Sequence, residues 1–130
     1  MKFSKIVFWC AGIWGVAVLT PLYFVFDRIG QQYPPAITHP DFYYGFVGVA
    51  LAWQVAFLII ASDPVRFRLV MIPAILEKVS YFAALFVLRA QDRVNRTQFH
   101  FAVVDLLFAI LFLVAFFKTR TVKAESAAGD

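Results

Sequence analysis

"LVMIPAILEKVSYFAALFVL" (Leu69–Leu88) is the stretch on which the fold turns. Twenty apolar-rich residues rise about 30 Å as a helix, the thickness of a bilayer's hydrocarbon core. Yet Glu77 and Lys78 fall near its midpoint. A charge at that depth is expensive unless it faces protein or water. Either the segment is no membrane helix, or the pair has a task inside one.

The rest of the chain favours the second answer. Of 130 residues, 62% are apolar and 15% charged, and sixteen are Phe. Soluble domains are about half apolar and a quarter charged. Three further runs match the first in length: "IVFWCAGIWGVAVLTPLYFVF" (6–26), "FYYGFVGVALAWQVAFLIIA" (42–61) and "FHFAVVDLLFAILFLVAFF" (99–117). The expected fold is all-α, an integral-membrane up-and-down four-helix bundle in one domain, with spans near 6–26, 42–61, 69–88 and 99–117. Residues 119–130 lack an apolar pattern and are expected to form a disordered cytoplasmic tail. The first run is too long for a signal-peptide core, and no small-x-small cleavage site follows it, so it reads as a retained span.

Lys and Arg set the expected orientation. Lys2, Lys5, Arg66, Arg68, Lys118, Arg120 and Lys123 fall on one side, against Arg28, Arg89, Arg93 and Arg96 on the other. Both termini are therefore expected in the cytoplasm, with the chain in a bacterial inner membrane. The basic residues are scattered between apolar runs and form no aromatic-interleaved face, which argues against nucleic acid. The linkers carry start signals. Asp63 and Pro64 read as a cap and first helical residue, and Pro40 opens the second span. Pro21 leaves the carbonyl of Ala17 without its helical partner and predicts a kink.

The polar residues within the runs are the candidate site. Glu77, Lys78, Asp105, Gln54 and Tyr81 are candidates for binding a ligand or handling protons. Depths of about 18 Å for Gln54 and about 16 Å for Glu77 would let those two meet side by side. Asp105 lies about 9 Å deep, within reach of the long Lys78 stem. At 100° per residue, small and hydroxyl residues (Pro73, Ala74, Ser80, Tyr81, Ala84) gather around Glu77, as on an inward face. The expected pairs are Lys78 with Asp105, and Glu77 with Gln54 or Tyr81. Glu77, Lys78 and Asp105 sum to −1 when all are charged, and lipid depth favours neutralising one acid. Such groups can also simply fix helix register, each interhelical contact being worth about 0.6–2 kcal/mol.

Gly45, Gly48, Ala52 and Ala56 form a small-x-x-x-small stripe suited to close helix approach. It is expected to pack inside the bundle. If Gln54 faces inward instead, the stripe faces out and could join two copies as a homodimer. There is no glycine-rich phosphate loop, HExxH, CxxC or Ser–His–acid set at useful depth. The lone Cys10 excludes an internal disulfide. His39 and His100 sit near one surface. Neither a metal site nor a cofactor is expected.

Four spans, the turn "DPVRFR" (63–68) and "LEKVS" (76–80) resemble the DoxX-like and BphX-like small bacterial inner-membrane proteins. The likeness rests on "SDPVRFRLVMIPAILEKVSYF" (62–82) and on architecture. It implies a four-helix membrane fold and, for DoxX-like members, association with quinone-linked redox complexes. Three functions follow as expectations. One is a non-enzymatic accessory subunit or binder of a small lipophilic ligand. Another is a proton-coupled small-molecule transporter acting as an oligomer. The third is an isomerase or oxidoreductase acting on a membrane lipid or quinone.

Overall fold

The computed structural model describes residues 2–129. It is helical, with no strand among the described residues. The long helices are α1 (Lys2–Leu19), α3 (Pro40–Ser62), α4 (Met71–Ala90) and α5 (Arg96–Ala128). A short α2 (Phe26–Gln32) lies in the first linker.

The helix ends follow local chemistry. Pro21 does more than kink the first helix. It ends α1 at Leu19, and the chain tightens into a 3-10 turn over Thr20–Phe24. Pro40 sits in the first turn of α3, where its missing N–H costs nothing, and Asp41 beside it suits the positive end of the helix dipole. The Asp63 carboxylate accepts the Arg66 N–H at 3.2 Å, as a cap does. The turn it closes stops there, however, and the chain passes through a 3-10 turn (Arg68–Val70) into α4.

Asp92, at φ 54°, ends α4 in the left-handed region usually held by Gly. The Arg93 N–H reaches the Leu88 carbonyl and the Asp92 N–H reaches Arg89, the paired bonds of a Schellman motif. Asn95 then starts α5 with a full capping box. Its side chain accepts the Gln98 N–H, and the Gln98 side chain accepts the Asn95 N–H, both at 2.9 Å.

Neighbouring helices run antiparallel. Residues ascending in α1 meet residues descending in α3 (Phe8 with Phe57, Gly15 with Gln54). The same holds for α4 and α5 (Lys78 with Asp105, Phe82 with Phe99). Around the bundle the order is α3, α1, α5, α4. The ring closes poorly, because α3 and α4 barely touch. The core lies nearer the end that holds both chain termini. Phe8 and Phe112 stack there at 4.2 Å, Phe57 meets Phe112 edge-on at 5.0 Å, and Ile60, Met71, Ala74 and Ala115 fill the remaining space.

The close seam of the bundle lies between α1 and α3, and it uses the small residues of α1. Ala11, Gly12 and Gly15 are buried. A Cβ on Gly15 would fall on the Gln54 side chain, and one on Gly12 would fall on Leu58. The α3 stripe expected to pack inside the bundle packs only in part: a Cβ on Gly48 would come within 3.2 Å of the Tyr23 hydroxyl. Ala52 is exposed, Ala56 is part-buried, and a Cβ on Gly45 would meet nothing within 4 Å. Gln54 takes the inward position, so the rest of the stripe turns away from α1, since the two lie on nearly opposite sides of α3.

The last helix also differs from expectation. Residues beyond 118 continue α5 to Ala128 rather than forming a disordered tail; Asp130 lies outside the described residues. No Gly or Pro interrupts this stretch before Gly129, and Lys, Glu and Ala favour helix. Two contacts hold its start. Buried Thr119 donates its hydroxyl to the Ala115 carbonyl at 2.8 Å, and Lys118 lies 4.5 Å from the Phe3 ring centre.

Much of the outer surface is apolar. Ile6, Ile13, Val49, Leu76, Leu107 and Ile110 are each more than half exposed. Such continuous apolar cover is untypical of a monomer in water. By length and composition, four helices can cross a membrane: Lys2–Phe24, Pro40–Ser62, Arg68–Ala90 and Arg96–Ala128.

Candidate functional site

Lys78 is the centre of the polar cluster. The buried face of α4 carries Met71, Ala74, Lys78 and Leu85, at helical spacing. The inward residue is thus Lys78, 4% exposed, and not Glu77, whose side chain keeps 20% exposure. The small and hydroxyl residues around Glu77 divide between the core and an opening. Ala74 belongs to the core, whereas Ser80 and Tyr81 flank an opening.

Four groups surround the ammonium. Lys78 Nζ donates to Asp105 Oδ1 of α5 at 3.0 Å, as expected from their depths. Glu77 Oε2 stands 3.7 Å away, an ion-pair contact beyond hydrogen-bond distance. The rings of Phe57 and Phe108 lie 5.2 and 6.0 Å from the nitrogen, within cation–π range. A buried cation is tolerable only when paired in this way. The consequence is unequal sharing. Asp105 takes the short bond, and Glu77 Oε2 is buried without a hydrogen-bond partner among the described residues.

The expected Glu77 bonds to Gln54 and Tyr81 are not made. Gln54 turns towards α1, where Gly15 makes room for it. Its Nε2 donates to its own helix at the Ala50 carbonyl, 2.8 Å away, and its Oε1 has no partner among the described residues. Tyr81 stacks its ring on Phe46 of α3 at 6.2 Å. Ser80 donates to the Glu77 carbonyl at 3.0 Å, which leaves its oxygen able to accept.

Because α3 and α4 part, a groove of about 450 Å³ runs between them. Gly45, Phe46, Val49, Ala50 and Trp53 line it from α3, and Glu77, Ser80 and Tyr81 from α4. Trp53, rather than Gln54, therefore lines the groove with Glu77, from the opposite wall. Phe46, Val49, Trp53 and Ser80 were not among the expected site residues. Their signal was present as spacing: 46, 49 and 53 on one helix, and 77, 80 and 81 on the next, each trace one face.

A second hollow of about 350 Å³ lies where α2 begins, between Tyr23, Phe26, Arg28 and Tyr44. The first linker is tied to α3 there, since Tyr43 donates to the Leu22 carbonyl at 2.6 Å. His39 and His100 are exposed at the starts of α3 and α5. Among the described residues, no group of three or more His, Cys, Asp or Glu could hold a metal ion.

The α3/α4 groove thus has apolar and aromatic walls, one carboxylate and two hydroxyls. That is the general make-up of a small-molecule site. No protein-family model matches the chain, and neither does any curated protein or solved structure. The functional reading therefore rests on the groove and its residues.

Proposed function

We propose that the chain is a four-span protein of the bacterial inner membrane, with both termini in the cytoplasm, that binds a small lipophile in the α3/α4 groove. It acts as a binding protein or accessory subunit and not as an enzyme. The observation that carries this is the groove itself: about 450 Å³ and largely apolar, with Glu77 on its wall. Four long apolar helices and the bias of Lys and Arg support the membrane placement. The DoxX-like and BphX-like resemblance belongs to the same proposal. In a bilayer the groove would open sideways, so a lipophile would enter from the lipid without crossing water.

A second reading draws on Glu77 alone. A largely buried carboxylate whose Oε2 has no hydrogen-bond partner among the described residues suits a proton carrier, as in a proton-coupled transporter working as an oligomer. Native mass spectrometry of gently purified protein, wild type beside Glu77→Gln, tests both. A co-purifying lipophile that the variant loses supports the binder. A protein that is empty in both forms and assembled as a dimer, with proton-coupled flux lost in the variant, supports the transporter.

A further inference from the structure

We infer that the groove selects a lipophilic monocation, such as a hydrophobic amine or quaternary ammonium, over neutral and anionic lipophiles of the same shape. The inference rests on the reading of the groove as a lipophile site and adds the ligand's charge.

Charge balance comes first. With all groups ionised, Glu77 and Asp105 outnumber Lys78 by one negative charge. The surplus is located. Asp105 holds the ammonium at 3.0 Å, while Glu77 stands off at 3.7 Å and lines the groove. Among the described residues, no titratable group beyond Lys78 offsets it there. The groove-facing residues of α3 carry no ionisable side chain, and α4 adds only Tyr81 beside Glu77. In a low-dielectric setting a surplus carboxylate must be balanced by a proton or by a cation. A bound monocation takes the proton's place, whereas an anion would meet repulsion.

Aromatic lining is the second, independent feature. Phe46, Trp53 and Tyr81 are three of the eight lining residues. Aromatic faces attract ammonium groups, and rings gathered around a carboxylate are the usual means of holding a cation too bulky to hydrogen-bond. Val49, Ala50 and Gly45 leave apolar space for the hydrocarbon part of such a molecule.

The test is equilibrium binding to the full chain in zwitterionic lipid nanodiscs, with empty nanodiscs subtracted. The probes are tetraphenylphosphonium, its near-isosteric anion tetraphenylborate, and neutral triphenylphosphine oxide. Saturable binding is expected for the cation alone. It should weaken about tenfold or more in Glu77→Gln, and about 3- to 30-fold in Trp53→Leu, which keeps bulk but removes the ring. Glu77→Asp, which keeps the charge, should retain cation binding. If Glu77→Gln does not fold, the wild type's preference between the two ions still decides. Equal saturable binding of all three probes would overturn the cation inference and leave the lipophile site standing, and a preference for the anion would do the same. No saturable binding of any probe by folded protein would overturn both.

Discussion

Lys78 of α4 donates to Asp105 of α5 at 3.0 Å, across 27 residues of sequence and inside the bundle. The bond fixes the register of two helices and leaves Glu77 as the spare carboxylate. Removing Lys78 strands two carboxylates in an apolar setting, whereas removing Asp105 leaves Glu77 3.7 Å from the ammonium. Lys78→Met should destabilise the protein by about 3–5 kcal/mol and Asp105→Leu by less, because Glu77 still faces the ammonium, while the double variant, which leaves Glu77 without its cation, should recover only part of the Lys78→Met loss. Unfolding in mild detergent, arranged as a double-mutant cycle, measures it.

Gly15 and Gln54 make a second such relationship, by shape rather than charge. Gly15→Ala pushes a methyl into the Gln54 side chain and should cost about 1–3 kcal/mol. Pairing it with Gln54→Ala should relieve the clash. Gly45→Ala, whose new methyl meets open space, should be neutral or stabilise by up to about 1 kcal/mol through helix propensity. Thermal unfolding of the three variants separates these outcomes.

These two pairs show what was legible in the sequence. Run lengths disclosed the four long helices, and helix depth disclosed Lys78 with Asp105, because both depend only on rise per residue. Rotation about the helix axis was harder. Glu77 and Lys78 are adjacent, 100° apart, and small residues flank Glu77 whether it faces a core or an opening. The seam was ambiguous for a related reason. α1 and α3 both carry small residues, and which set is buried depends on the knob opposite, here Gln54 and Leu58. The extension of α5 past 118 was missed because apolar pattern was the criterion, whereas helix propensity and the Thr119 bond carry that stretch.

Asp92 offers a check on local structure. It stands at φ 54°, where an L side chain is strained and Gly is not. Asp92→Gly should stabilise α4's end by about 0.5–1 kcal/mol, less a small loss from the exposed Arg89 contact at 3.4 Å. A drop in thermal stability would count against the left-handed cap.

The proposed topology is open to labelling. In a Cys10→Ser background, Asp92→Cys should react with a membrane-impermeant maleimide added to spheroplasts. Glu125→Cys should react only after permeabilisation. The reverse pattern would invert the orientation, and labelling of both without permeabilisation would refute a crossing by α5.

The central claim is that the space between α3 and α4 is occupied by a lipophile. The most direct measurement is native mass spectrometry of wild type beside Ser80→Trp, which adds bulk at the α4 wall of the groove and leaves Lys78 and Asp105 in the sequence. The account predicts a co-purified lipophile on the wild type and none on a folded Ser80→Trp protein. An equal amount of bound lipophile on both would contradict it.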